Sequence, residues 1–172
     1  MSSFANFYEI SHFLPILNGS ILADLIVLFI LYYTPYFESK ELKTWYEKYR
    51  LSAVIADVLI LVIGILITKF IFTFFNLNFH VITFLILLLL VQIIHDVSFF
   101  IFFTSVPRKV NNMLDLFKDY AEEVSYKAIL GDSFMLVIAF LASYYFTTFN
   151  LHSNLLILIG LIYLIPYLIY TK

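Results

Sequence analysis

Four aspartates lie inside apolar segments of this sequence, where an ionised carboxylate is costly. They are Asp24, Asp57, Asp96 and Asp132, and His95 directly precedes the third of them. An aspartate at mid-bilayer costs on the order of 3 kcal/mol on insertion scales, so we expect all four to be hidden from lipid, protonated, paired or bound to a cation. Carboxylates that face one another at low dielectric cannot all ionise. These five residues are therefore candidates for a proton or cation site.

The same residues have a second interpretation. Polar side chains in membrane helices often form interhelical hydrogen bonds, each worth about 0.6–2 kcal/mol, and four aspartates and a histidine could serve only to tie helices together. The chain has no cysteine and no zinc, phosphate-loop or serine-nucleophile motif, so we expect no catalytic residue and no cofactor. The sequence does not identify a metal ion.

The elements that position these residues are expected to be membrane helices. Hydrophobic residues make up 63% of the 172 residues, well above the usage of a soluble domain, and predict a single all-α integral membrane domain over residues 1–172. Five apolar runs are long enough to cross a bilayer, over residues 13–34, 52–74, 80–104, 127–147 and 153–171. Because Pro15 and the run 18–20 interrupt the first, we expect its outer end to be broken or re-entrant.

The charged residues predict an orientation in the membrane. Nine of the ten basic residues fall on one side of the five predicted spans, mostly in the long connections 35–50 and 105–126. The positive-inside rule then places the N-terminus outside and the C-terminus in the cytosol. Lys69 is the exception, and we expect its side chain to extend to the headgroups at the outer end of the second span.

Each long connection contains a stretch with apolar residues at helical spacing beside charged ones. We predict two short cytosolic amphipathic helices that lie in the membrane interface or dock on a partner. Their interfacial residues are Trp45, Tyr46, Tyr49, Phe117 and Tyr120. Since acidic residues are interleaved with the basic ones, we expect no binding of nucleic acid.

The aspartates recur in an internally duplicated pattern. A shift of 72 residues superposes the pairs Asp24/Asp96 and Pro35/Pro107, and a shift of 75 superposes Asp57/Asp132. The repeat units run over about 20–78 and 92–152, and an extra C-terminal span follows over 153–171. Because two crossings separate the units, they are expected to be related by a pseudo-two-fold axis along the membrane normal, with all four aspartates at similar depth in the cytosolic half.

Residues 116–124 (LFKDYAEEV) and 128–133 (AILGDS) resemble a group of small multi-pass membrane proteins of giant, nucleocytoplasmic large DNA viruses. The resemblance covers mainly the duplicated unit, about two thirds of the chain. It implies residence in a virion inner membrane or a virus-modified host membrane, and it carries over no activity and no functional residue.

Two functions are therefore expected from the sequence. The first is a structural or assembly component of such a membrane, whose partners would be the lipid bilayer, further copies of the chain, or other membrane or capsid proteins. The alternative is a proton or cation channel or carrier that uses the four intramembrane aspartates. Replacement of the aspartates by asparagine would alter folding in the first case and abolish flux in the second.

Overall fold

A computed structural model describes residues 4–170, and no strand occurs within that range. A short 3₁₀ turn, Ile10–His12, precedes seven helices. They are α1 (Phe13–Tyr33), α2 (Lys40–Tyr49), α3 (Leu51–Phe74), α4 (Val81–Ser105), α5 (Asn112–Val124), α6 (Lys127–Phe146) and α7 (Leu151–Ile169). Five helices in the described range are long and apolar enough to span a membrane, namely α1, α3, α4, α6 and α7. The prediction of an all-helical chain with five candidate spans is confirmed; residue 171, the predicted end of the last span, lies outside the described residues.

The first span is one continuous helix. Pro15 occupies its third position, where the missing N–H would have no helical acceptor, so the proline does not interrupt the backbone hydrogen bonds. Asn18, Gly19 and Ser20 are all fully buried against neighbouring helices. The prediction of a broken or re-entrant outer end is wrong. The polar stretch 18–20 is buried against neighbouring helices and is therefore not exposed to lipid, so the helix continues through it.

Helix α1 lies at the centre of the bundle, in contact with α6, α7 and α3. Its approach to α6 is closest at Gly19, where a Cβ atom would lie 2.3 Å from the Ser143 Oγ and 2.6 Å from the Ala139 carbonyl oxygen. Small residues let helix backbones come together in a membrane, where packing rather than the hydrophobic effect drives association. Glycine is therefore required at this position for the two helices to pack as they do.

Hydrogen bonds fasten α7 to the rest of the bundle near both of its ends. The Asn18 Nδ2 donates to the backbone carbonyl of Asn154 at 2.9 Å and to its side-chain oxygen at 3.2 Å. The Asn154 Nδ2 in turn donates to the carbonyl of Phe146 at 3.0 Å. At the other end, Arg50 Nη1 donates to the Ile169 carbonyl at 2.6 Å.

The short helices α2 and α5 both begin at a side-chain cap. Ser39 Oγ accepts from the Leu42 N–H at 3.0 Å, and Asn111 Oδ1 accepts from the Met113 N–H at 2.8 Å. Both helices connect spans at the same end of the bundle, where α7 also ends, and they contact each other there. We call this end the α2–α5 face.

Glu123, near the end of α5, holds the start of α2. Its carboxylate accepts hydrogen bonds from the Ser39 hydroxyl at 2.7 Å, the Lys40 N–H at 2.7 Å and the Glu41 N–H at 3.0 Å. Partial burial opposes ionisation, but these three donors together lower the pKa of Glu123 below its ordinary value of 4.5. A negative charge at a helix N-terminus is also favourable towards the helix dipole.

The aromatic faces of α2 and α5 are turned onto the bundle rather than towards lipid. Trp45 and Tyr46 retain only 4% and 1% of their surface exposed. The Trp45 ring lies 4.9 Å from that of Phe117 on α5 and 5.0 Å from that of Tyr49. The predicted interfacial residues therefore form a layer that closes the α2–α5 face.

Lys69 is buried, with 1% of its surface exposed, so the expectation that it reaches the headgroups is wrong. Its ammonium nitrogen lies 3.4 Å from His12 Nδ1 and 5.4 Å from the centroid of the Phe4 ring. The N-terminal segment is fixed over it by a hydrogen bond from the Phe7 N–H to Thr73 Oγ1 at 2.9 Å. Residues before the first span thus cover Lys69, which the sequence pattern predicted to be exposed at the membrane surface.

The Gly19 contact predicts a specific loss of stability. Gly19→Ala should lower the free energy of unfolding by about 1–3 kcal/mol, because the added methyl group forces α1 and α6 apart. The matched control is Gly160→Ala on α7, where an added Cβ meets no atom within 4 Å. Thermal unfolding in detergent should show a lower Tm for the first variant alone; equal Tm values would contradict the close packing.

The Glu123 cap predicts a pH dependence of α2. Since the folded-state pKa is lowered, its contribution is present above about pH 4.5 and is lost as the pH falls through the folded-state value. Hydrogen exchange of the amides of residues 40–42 should be slower in the wild type than in Glu123→Gln at pH 7. The two should converge in acid. A difference that is unchanged down to pH 3 would contradict this cap.

Candidate functional site

A cleft of about 1110 Å³ lies beside the α2–α5 face, between α3, α4 and α6. Three of the four intramembrane aspartates line it, each from a different spanning helix: Asp57 on α3, Asp96 on α4 and Asp132 on α6. Its roof is made by aromatic side chains of the two short helices, including Trp45, Tyr46, Phe117 and Tyr120.

Asp57 accepts a hydrogen bond from another helix, whereas Asp96 accepts one from its own helix. The Trp45 indole Nε1 of α2 donates to Asp57 Oδ2 at 2.9 Å. Asp96 accepts from Gln92 Nε2 at 2.7 Å, one turn earlier on its own helix, and His95 Nδ1 lies 3.2 Å from its other oxygen. Neither carboxylate is hydrogen-bonded to another spanning helix.

Asp132 accepts no hydrogen bond from any residue of the described range, and it is partly exposed in the cleft. Its charge acts on Tyr120 of α5: burial raises the pKa of the Tyr120 phenol, and negative charge on Asp132 raises it further. The tyrosine therefore keeps its proton. A carboxylate with no partner of its own is open to a ligand or a proton from the cleft.

Asp24 lies outside the cleft, although it is close enough to Asp57 for their charges to interact. It is fully buried and does not line the cleft; the Tyr46 hydroxyl, which does, donates to Asp24 Oδ1 at 2.8 Å. Burial raises the pKa of the Tyr46 phenol well above its usual range, and the charges of Asp24 and Asp57 act in the same direction. Tyr46 thus stands as a protonated donor between Asp24 and the cleft.

His95 lines the cleft with 41% of its side chain exposed, and its ring stacks on Phe99 at 5.9 Å. Gln92 was missed by the sequence reasoning, although its spacing of four residues from Asp96 is a signal for contact on one helix face. The donor roles of Trp45 and Tyr46 were also missed, because they depend on how α2 folds back onto the spans. Tyr49 contacts Trp45 but does not line the cleft.

The lining of the cleft is acidic in balance. It holds four acidic side chains, Glu41 and the three aspartates, against one lysine, Lys127, and His95. Within residues 4–170 no three histidine, aspartate or glutamate side chains are placed to hold one metal ion. The arrangement can exchange protons or attract a cation, and it does not offer the compact oxygen shell that Ca²⁺ or Mg²⁺ requires.

No protein-family model matches the chain, and searches of characterised proteins by sequence and of solved structures by fold gave no match.

The Tyr46 contact predicts a cost for removing one hydroxyl. Tyr46→Phe should lower the free energy of unfolding by about 1–3 kcal/mol, because Asp24 Oδ1 loses its donor in a fully buried place. Tyr8→Phe is the matched control, since Tyr8 is 75% exposed. Chemical unfolding in mixed micelles measures both, and an equally small effect of the two substitutions would show that Asp24 does not depend on Tyr46.

Proposed function

We propose that the protein is a membrane channel or carrier for protons or cations, with Asp57, Asp96 and Asp132 as its site. The observation that carries the proposal is that three spanning helices each contribute a carboxylate to the same cleft. Charge that is buried in a membrane without a structural partner marks an ion pathway by default. Asp132, which has no hydrogen bond within the described residues, is the residue on which this argument depends most.

The hydrogen bonds of the aspartates favour this proposal over a purely structural role. Helix glue requires bonds between spanning helices. Instead, Asp24 and Asp57 accept from side chains of the short helix α2, and Asp96 accepts within its own helix. The spanning helices are held together elsewhere, by the Asn18–Asn154 contact and the close packing at Gly19.

Several backbone features support an internal duplication. The N-caps Ser39 and Asn111 are related by the shift of 72, and Arg50 and Ser125 by the shift of 75. Both of the latter have positive φ, 49° and 53°, at the turn into the next span. The change of three residues between the shifts equals the difference in length between α2, with 10 residues, and α5, with 13. The extra residues therefore fall within the short helix.

The duplication also accounts for the position of the cleft. Under the shift of 72, Gly19 and Ala23 of α1 correspond to Val91 and His95 of α4. Helices α3 and α4 are less extensively in contact than α1 and α6, and we attribute this difference to the larger side chains of α4. Helix α7 covers α1, whereas most of α4 has no helix over it. The cleft then lies where the second half of the molecule packs less tightly than the first.

The α2–α5 face is proposed to be cytosolic. Eight basic residues of the described range lie at this end of the bundle. The ninth basic residue used to predict the orientation, Lys172, lies outside the described residues. With this orientation the N-terminus is outside, the C-terminus is in the cytosol, and the three aspartates face the cleft from the cytosolic half of the membrane.

A structural or assembly component of a viral or virus-modified membrane is the second proposal. In this role the short amphipathic helices α2 and α5 would hold capsid or membrane partners. Because Trp45 and Tyr46 are buried in contacts within the bundle, a capsid or membrane partner would have to bind the charged outer faces of α2 and α5. That change in the available surface is why we place this role second.

The proposal predicts that flux depends on the cleft carboxylates. In vesicles that contain the purified chain and a trapped dye sensitive to pH or to Na⁺, Asp132→Asn should reduce proton or Na⁺ flux by about tenfold or more, because the variant can neither carry a proton nor attract a cation. Asp57→Asn and Asp96→Asn should each act in the same direction.

The matched control is Glu122→Gln. It also removes one negative charge, but Glu122 lies on the outer side of α5, 75% exposed and paired with Arg108 at 2.9 Å. Its flux should equal that of the wild type. Wild-type vesicles with no flux above protein-free vesicles, or Asn variants with full flux, would refute the channel or carrier function.

A further inference from the structure

The cleft has the features of a binding site for an organic cation. We propose that its ligand is an amphiphilic monovalent cation with apolar or aromatic substituents, such as a quaternary ammonium or phosphonium compound. This inference rests on the proposed function and specifies its substrate class. Four properties of the cleft carry it: size, charge, the chemistry of the wall, and the side on which it opens.

The size of the cleft exceeds what a bare ion needs. Its volume of about 1110 Å³ is slightly above the roughly 300–1,000 Å³ of clefts that enclose drug-sized ligands. The three aspartates come from three different helices. Within residues 4–170, no three acidic or histidine side chains are placed to hold one metal ion. A charge delocalised over a large molecule can be attracted by carboxylates spread around it, whereas a small ion is bound by several at once.

The wall of the cleft is largely apolar and aromatic. Trp45, Phe99, Phe103 and Phe117 line it beside the carboxylates. Aromatic faces attract cations whose charge is poorly hydrated, and the attraction grows when the site is desolvated. Quaternary cations lack N–H donors and do not need oxygen ligands. This wall therefore complements their surface as well as their charge.

The cleft opens to the side of the bundle. Phe100, Leu130 and Phe134 border it and remain 50%, 62% and 49% exposed on the outer surface of α4 and α6. These positions lie within helices that are long and apolar enough to span a membrane. A ligand that enters here must partition into the membrane, which an amphiphilic cation does and a hydrated metal ion does not. A lipid chain could also fill the opening, but it offers no charge to the carboxylates.

The chain contains its own reporter for this site. Trp45 is the single tryptophan; its indole lines the cleft and donates to Asp57. Tetraphenylphosphonium, added to the purified full chain in nanodiscs, should change tryptophan emission with saturation. Tetraphenylborate has the same shape and the opposite charge, and should give no saturable change.

The carboxylate variants test the contacts. Asp132→Asn and Asp96→Asn should weaken tetraphenylphosphonium binding by about tenfold or more, because each removes a charge that acts at low dielectric. Glu122→Gln should bind as the wild type does. Circular dichroism and Tm of each variant establish that the bundle is folded before its affinity is compared.

The outcomes separate this inference from the proposed function. Equal binding of both tetraphenyl ions, or equal affinity of the Asn variants and the wild type, would overturn the cation site and indicate an apolar groove filled by lipid. Aspartate-dependent proton or Na⁺ flux without tetraphenylphosphonium binding would overturn the inference and leave the proposed function standing. Specific binding without any flux would refute transport and retain the binding site.

Discussion

The contact between α1 and α6 at Gly19 fixes the arrangement of the bundle. With no side chain on α1 at this point, the backbones touch, and Ser143 and Ala139 fill the remaining space. In a bilayer, apolar surfaces gain little by leaving lipid, so close packing and internal hydrogen bonds must supply the association energy. Other faces of α1 carry Asn18, which bonds to α7, and Asp24, which accepts from Tyr46 of α2. One helix therefore organises three neighbours.

This concentration of contacts on α1 leaves the other side of the molecule less closely packed. Helix α4 touches α3, α6 and α5, but most of its surface has no helix against it. The cleft forms between α4 and these neighbours, and the aspartates of α3, α4 and α6 meet there. Close packing is therefore concentrated around α1, and the cavity lies on the side of the molecule where α4 has few neighbours.

The short helices complete the site as well as closing the bundle. Glu123 fastens α5 to the start of α2, and this contact holds Trp45 and Tyr46 above the spans. From there the indole reaches Asp57 and the phenol reaches Asp24. The donors belong to polar tips of side chains whose rings are buried, which is how Tyr and Trp usually satisfy their hydrogen-bonding groups in apolar surroundings. The α2–α5 contact thus positions the donors of two carboxylates, Asp57 and Asp24.

The sequence by itself determined the number and approximate limits of the candidate spans and the two short helices between them. These features depend on local properties, hydropathy and helical rise, and need no knowledge of the neighbours. Only the tertiary structure decided that Asp24 is buried under Tyr46 while the other three aspartates share a cleft. It also decided that Lys69 is covered by the N-terminal segment and that α1 is continuous. Which face of an apolar helix meets which neighbour is set by contacts between residues far apart in the chain, and a nearly uniform hydrophobic sequence carries no periodic signal for them.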